Sequence, residues 1–229
     1  MSIFTIGDLH LSLDADKSME LFSGWEDYIC RLHDNWNQTV KEGDTVVVAG
    51  DISWSMDLKG AEKDFDFLNS LNGQKILLKG NHDYWWQTRK KMDEWVKANS
   101  FDTISFMFND AHSAEGTALC GTRGWFFEES SDGDSLVYSR EIGRLRTSVK
   151  AALDLGCGET IAFLHYPPIY GRFCAEEIVG ILKEANIKKC FYGHIHSTGA
   201  ANAVNREIDG VFYRLISADY LGFRPYKVK

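Results

Sequence analysis

Five short apolar runs, rich in β-branched and aromatic residues, each end abruptly in polar residues: Ile3-Phe4-Thr5-Ile6, Thr45-Val46-Val47-Val48-Ala49, Ile76-Leu77-Leu78, Ile161-Ala162-Phe163-Leu164 and Cys190-Phe191-Tyr192. Their length and near-continuous hydrophobicity predict strands buried on both faces. Between the first two, Trp25, Ile29, Leu32, Trp36 and Val40 recur at helical spacing and predict one apolar stripe, which Lys41-Glu42-Gly43-Asp44 ends. A weaker helical pattern runs from Leu58 to Leu71 through Ala61, Phe65 and Leu68, before Asn72-Gly73 turns the chain into the third strand.

A short helix through Trp95 and Val96 follows, then two strand-like stretches, Thr103–Phe108 and Thr117–Cys120, whose intervening turn residues predict local antiparallel pairing. A long helix is expected over Leu136 to Leu155, with Ile142, Leu145, Val149, Ala152 and Leu153 on its apolar face and Gly156 to Gly158 closing it. Another is expected near Ala175 to Ala185, and a last strand pair, Ala200–Arg206 and Val211–Ile216, turns at Ile208-Asp209-Gly210. Strands alternating with helices make an α/β chain, and the late hairpins leave two arrangements open: a mixed sheet, or two packed sheets with outer helices. No linker or repeat interrupts the 229 residues, so one domain over 1–229 is expected.

Composition narrows the class. With 44% hydrophobic residues, 25% charged residues and three prolines, the chain reads as an ordinary soluble globular protein. Met1 leads almost directly into the first strand without an export leader, and no apolar run reaches the length of a membrane span, so a cytoplasmic location is expected. The five cysteines, Cys30, Cys120, Cys157, Cys174 and Cys190, are odd in number and form no C-x-x-C pair, so neither a disulfide framework nor a zinc ribbon is indicated. A formal charge of -8 and no evident basic groove argue against nuclease activity or a broad nucleic-acid footprint. Bound divalent cations would still create a local positive sink, so small phosphorylated substrates stay compatible.

The polar ends of the apolar runs carry the candidate chemistry. Asp8-Leu9-His10, Gly50-Asp51, Gly80-Asn81-His82-Asp83, His165 and Gly193-His194-Ile195-His196 hold five of the seven histidines, all at strand exits, the edge where α/β sheets bind ligands. Asp8 and His10 are two apart and face one side on a regular strand. Asp51 could bridge their ion to a second; Asn81 offers a neutral oxygen, and His165, His194 and His196 offer imidazole nitrogens. This donor set suits Mn²⁺, Fe, Co²⁺, Ni²⁺ or Zn²⁺, and the lack of a nearby cysteine speaks against structural zinc. Two ions about 3.5–4 Å apart would hold a phosphoryl oxygen and acidify a bridging water for in-line attack. His82 could protonate the leaving oxygen. Any one of these residues has a plain explanation as a cap or turn former; polar interruptions at five strand exits need a common cause.

In order, D-x-H, G-D, G-N-H-[D/E], H and G-H-x-H resemble the calcineurin-like metallophosphoesterase superfamily from Asp8 to His196. The resemblance implies a two-sheet β-sandwich flanked by helices. It implies Asp8, His10, Asp51 and His196 at one metal and Asp51, Asn81, His165 and His194 at the other, Asp51 bridging. It further implies that His82 acts on the leaving group and that Gly50, Gly80 and Gly193 permit tight loops. The activity implied is metal-dependent hydrolysis of a phosphomonoester or phosphodiester. One departure stands out: many members carry a second Asp three residues after the bridging one, often paired with the histidine matching His82, whereas this chain has Trp54. Asp57 and Asp83 are the candidates to take its place.

Trp54, Tyr84, Trp85 and Trp86, with the segment Gly121-Thr122-Arg123-Gly124-Trp125-Phe126-Phe127, either wall a pocket or pack between layers. Arg123, flanked by glycine, is the candidate substrate-binding residue, since a guanidinium binds phosphate bidentately. Arg140 and Arg144 share a helix face beside Glu141 and read as a solvated surface, and Arg172 is a further candidate phosphate contact. Two competing readings remain. Asp14-Ala15-Asp16-Lys17-Ser18 resembles the D-x-D-x-[ST] nucleophile loop of haloacid-dehalogenase-like phosphatases, but the preceding strand already ends at Asp8, which favours a capping role. The other is a non-catalytic scaffold of the same fold that binds a protein through its aromatic surface.

Overall fold

A computed structural model describes residues 1–125 and 132–229. The first half builds one sheet, in which β1 (Ile3–Ile6), β2 (Thr45–Ala49), β3 (Gln74–Leu78) and β4 (Ile104–Phe106) run parallel in that order. Their crossovers carry α1 (Tyr28–Thr39), α2 (Glu62–Ser70) and α3 (Arg89–Ala98). The second half continues through β5 (Ala111–Ala114), β6 (Thr117–Thr122), α4 (Asp132–Asp154) and β7 (Glu159–Leu164). A small pair, β8 (Ile169–Tyr170) and β9 (Phe173–Cys174), precedes α5 (Glu176–Glu184), β10 (Lys189–Tyr192), β11 (Glu207–Ile208) and β12 (Val211–Leu215). These form a second sheet in the order β11-β12-β10-β7-β6-β5, parallel except at its two edges. The last strand, β13 (Tyr226–Lys227), returns to the first sheet antiparallel to β1.

Strand alternation explains why the apolar runs are continuous. Val47, Ala49, Ile76 and Leu78 point between the sheets and meet Leu119, Ile161, Phe163 and Phe191. Val46, Val48 and Leu77 point the other way, to Leu32, Trp36, Phe65 and Leu68 on α1 and α2. On the second sheet Ala162, Leu164 and Tyr192 pack against Leu145 and Val149 of α4 and Ile178 and Leu182 of α5. The result is a helix, sheet, sheet, helix sandwich.

Two expectations fail, and one strand was not anticipated. Thr103–Phe108 and Thr117–Cys120 do not pair: β4 joins β3 in the first sheet, while β6 pairs with β5 across a Glu115-Gly116 turn whose residues have φ of 50° and 71°. The polar edge strand His112-Ser113 carries almost no apolar signal. Ala200–Arg206 is not a strand either; Ser197–Asn202 coils into 3₁₀ turns, and only Glu207–Ile208 pairs with β12.

Lys75 shows how tightly the helix-facing layer is built. It is fully buried on β3, and its Nζ donates to the carbonyls of Leu71 at 2.6 Å and Gly73 at 2.8 Å, just past the C-terminus of α2. Lys75→Met keeps the stem but strands those carbonyls, so urea unfolding should show a loss of about 1–3 kcal/mol with an unchanged m-value. An unaltered midpoint would show that the ammonium contributes nothing to the layer.

Candidate metal centre

The five strand exits converge on one rim, and the backbone turns sharply there. Asp8, His10, Asp51 and His194 all sit in the left-handed region, with φ of 58°, 47°, 50° and 73°. Asp and His tolerate this conformation better than most residues, yet each such position costs about 1–3 kcal/mol. Asp8 and His10 therefore do not share a side by strand alternation, because β1 stops at Ile6; each is itself a left-handed residue, with Leu9 between them. Glycine is required where the carboxylates press on the backbone. A Cβ at Gly80 would lie 2.1 Å from Asp51 Oδ1, and one at Gly193 would lie 2.5 Å from Asp8 Oδ2.

Asp8, His10 and His196 bring one potential ligand atom each within 4.8 Å of one another, and so do Asp51, His165 and His194. The two groups adjoin through Asp51, whose Oδ2 is 3.8 Å from His10 Nε2 and 3.6 Å from His165 Nε2. Asn81 Oδ1 lies 2.6 Å from His165 Nε2 and 3.0 Å from His194 Nδ1. All seven residues singled out as ligands thus meet at one place.

Hydrogen bonds set which nitrogen of each ring faces the centre. His165 donates its Nδ1 proton to Ala49 O at 3.1 Å, which leaves the Nε2 lone pair inward. His196 donates from Nδ1 to Asp219 Oδ1 at 3.0 Å, and its Nε2 faces His10 Nε2 at 3.2 Å. Burial keeps His165 and His194 neutral, their pKa values pushed down to about 3, and it lifts Asp8 and Asp51 above the ordinary carboxylate range. Burial also works against protonation of His196, but Asp219 and Asp8 outweigh it and carry the ring up to about 9. A proton between His10 and His196 meets a demand for positive charge that a divalent ion would meet better. Carboxylates, neutral imidazoles and one amide oxygen fit a borderline transition metal at each of the two groups.

His82 stands beside this centre. Its backbone N–H donates to Asp51 Oδ1 at 2.8 Å, its ring packs on Trp54 with centroids 4.4 Å apart, and Tyr84 Oη lies 3.4 Å from its Nδ1. Neither aspartate considered as its partner serves it. Asp57 accepts from Gly60 N in a turn, and Asp83 is wholly engaged elsewhere. The buried Asp83 carboxylate accepts from the backbone N–H groups of Asp51, Ile52, Ser53 and Gly80 and from Trp85 Nε1, at 2.7–3.3 Å. A cleft of about 350 Å³ opens over the centre, walled by Met19, Phe22, Trp25 and Trp54. Trp54 also stacks on His10, with centroids 4.9 Å apart. Trp85 belongs instead to the core with Phe65, and Trp86 packs on Phe106.

Arg123 does not line this cleft. Its guanidinium is 3.4 Å from the buried Glu141 and lies over the Trp125 ring, facing a neighbouring cleft. Phe126 and Phe127 lie outside the described residues. Arg172 is exposed at the β8–β9 turn. In the Asp14–Ser18 stretch, Asp14 pairs with Lys63 and Ser18 Oγ accepts from Glu20 N at 3.2 Å, as a cap of the Met19–Leu21 turn, so the dehalogenase-like reading fails.

Two supporting residues escaped sequence reasoning. Asp219 holds both His196 Nδ1 and the Ser197 N–H, the latter at 2.9 Å, from 23 residues downstream. Asp64 on α2 accepts from Leu13 N at 2.8 Å and from the Ser53 hydroxyl, tying together the loops that follow β1 and β2. Asp64 sits in the Phe65 helical pattern as an acidic residue on a buried face, which is a usable signal; Asp219 has none.

Comparison with known proteins places the family and the fold. The family model described as calcineurin-like phosphoesterase matches residues 1–198. An uncharacterised protein of Methanocaldococcus jannaschii is 25% identical over 134 residues, which span 58% of this chain and 70% of that protein. Among solved structures, a protein of unknown function from Aquifex aeolicus has a TM-score of 0.54 at 14% identity, covering 99% of this chain and 95% of its own. Phosphopantetheinyl hydrolase from Mycobacterium tuberculosis has the same TM-score of 0.54, identity of 14% and coverage of 99% and 95%. A Thermus thermophilus protein reaches a TM-score of 0.56 at 11% identity, covering 98% of this chain and 96% of its own. At these identities the structures share the fold.

The proton on His196 yields a pH test. Its folded-state pKa is raised to about 9, so below that value an incoming ion must displace the proton, and affinity should climb with pH until about 9. Titration of metal-stripped protein with Mn²⁺ by calorimetry, in buffers of different ionisation enthalpy, should register release of about one proton near pH 8. Asp219→Ala should weaken Mn²⁺ binding about 10–100-fold and lower that pH limit. Affinity that is flat from pH 7 to 9 would contradict the arrangement.

Proposed function

The chain belongs to the calcineurin-like phosphoesterase family, and on that premise we propose that it is a dinuclear metal-dependent phosphohydrolase of small phosphomonoesters or phosphodiesters. The observation that carries this reading is the place of Asp51, one carboxylate oxygen of which faces His10 on one side and His165 on the other. Asp8, His10 and His196 would hold one ion, Asn81, His165 and His194 the other, and Asp51 would serve both. When bound, two divalent ions such as Mn²⁺, Fe, Zn²⁺, Co²⁺ or Ni²⁺ would supply an acidified water and neutralise phosphoryl charge.

The remaining tasks fall to protein groups. Asp51 keeps its position because its other oxygen accepts the His82 N–H at 2.8 Å. His82 is the proton donor to the leaving oxygen: Trp54 and Tyr84 orient its ring, and its Nε2 makes no hydrogen bond among the described residues. The apolar wall of Met19, Phe22, Trp25 and Trp54 would exclude water and pack the organic part of the substrate. Arg123, one loop away, is a substrate contact only for a molecule that extends beyond this cleft.

Residues 1–229 are read as one domain because strands from both sheets share the central core. No helix among the described residues is long and apolar enough to cross a membrane. The five free cysteines are what supports a cytoplasmic setting.

Metal-stripped protein should hydrolyse p-nitrophenyl phosphate or bis-p-nitrophenyl phosphate only after Mn²⁺ is restored. Asp51→Asn should lower kcat/KM at least about 10³-fold, and full activity in that variant would refute the bridging assignment. His82→Ala should cost about 10²–10⁴-fold with an alkyl leaving group and much less with p-nitrophenolate, which departs without a proton. Equal losses on both would remove His82 from the role of acid.

A further inference from the structure

Beside the metal centre, over the exits of β3 and β6, lies a second cleft of about 370 Å³. Its charge runs against that of the chain. Lys79, Arg123 and Arg144 line it, with Glu141 as the single acidic residue among its lining. Glu141 is fully buried and fully used: it accepts from Thr122 Oγ1 at 2.6 Å and Arg144 Nη1 at 2.5 Å, with Arg123 Nη2 at 3.4 Å. It offsets one of three cations and fixes two of them in place. Lys79 has no hydrogen bond or ion pair among the described residues. The ten-residue helix α3 also begins here, and its N-cap Thr88, which lines the cleft, makes no side-chain capping bond, so the first turn keeps unpaired N–H groups.

We propose that this cleft binds a phosphate group of the substrate other than the one cleaved, so that the substrate is a small molecule carrying two phosphates. The proposal rests on the phosphohydrolase reading for the identity of that molecule. Two guanidinium groups, an ammonium and a helix N-terminus leave a net charge of about +2, which a phosphate dianion matches and a carboxylate does not. The cleft is mechanically part of the same rim. Lys79 is two residues before Asn81, and the Arg123 carbonyl accepts from His165 N at 3.2 Å and Tyr166 N at 2.8 Å. A ligand that draws in these side chains is therefore held next to the metal loops.

Binding is tested first without metal, which silences the catalytic centre as an anion site. Full-length metal-stripped protein is titrated with pyrophosphate and followed by ³¹P NMR. Saturable binding is expected, weakened about tenfold or more by Lys79→Gln and by Arg144→Gln. Arg144 lies half exposed on α4 and not beside a metal-loop glycine as Lys79 does, and thermal melts of both variants check that they are folded. No binding, or equal binding by both variants and wild type, overturns the site. The Mn²⁺-loaded protein is then given thymidine 5′-p-nitrophenyl phosphate and its 3′-phosphorylated counterpart, which share a leaving group. The bisphosphorylated compound should have a kcat/KM about tenfold higher or more, and Arg144→Gln should bring the ratio towards one. A ratio of one in the wild type would mean that the cleft takes free phosphate, and would overturn the assignment to substrate. Hydrolysis of neither compound, nor of p-nitrophenyl phosphate or bis-p-nitrophenyl phosphate, with pyrophosphate binding intact, would uphold the anion site and sink the phosphohydrolase reading.

Discussion

One buried carboxylate sets the geometry on which the centre depends. Asp83 has 1% exposure and gathers four backbone N–H groups, three from the loop after β2 and one from the loop after β3, together with the Trp85 indole. Loops leaving a parallel sheet have no ladder to pair with, and unpaired buried N–H groups are costly. Asp83 supplies one acceptor for both loops, and so fixes Asp51 relative to Asn81. Burial, and then the nearby Asp51, push its own pKa upward, and the backbone donors around it work against that rise.

The same device joins the two sheets. Both Asp8 oxygens accept from His194 N, at 3.0 and 2.9 Å, which ties the exit of β1 to the exit of β10 across the sandwich. Within the second sheet Asp219, after β12, holds His196, after the adjacent β10, and Asp64 anchors the loops after β1 and β2 to α2. Each carboxylate thus serves first as a backbone acceptor, and the side chains aimed at the centre follow from where the loops are held. The left-handed turns at Asp8, His10, Asp51 and His194 persist because these contacts over-determine them.

Around this rigid rim the surroundings differ by side. Aromatic and apolar residues wall one cleft, where His82 sits, while cations line the other around the buried Glu141. A chain with a net charge of -8 has thereby concentrated positive charge beside the candidate metal centre, which favours approach of anionic ligands to that edge.

Much of this was legible in one dimension. Strands buried on both faces appear as unbroken apolar runs, and β1, β2, β3, β7 and β10 lie where such runs occur. The polar residues at their exits named the seven that meet at the centre, because a sheet brings the ends of its strands to one edge whatever their separation along the chain. The split between sheets was not legible: β4 and β6 are near in sequence, and their parting is set by distant partners, β3 for the one and β7 for the other. The partner of His82, the use of Asp83 and the role of Asp219 were hidden for a related reason. Periodicity and motif spacing report which face a residue shows to its own element, whereas a carboxylate's hydrogen bonds are settled by which loops from distant segments arrive around it in the folded chain.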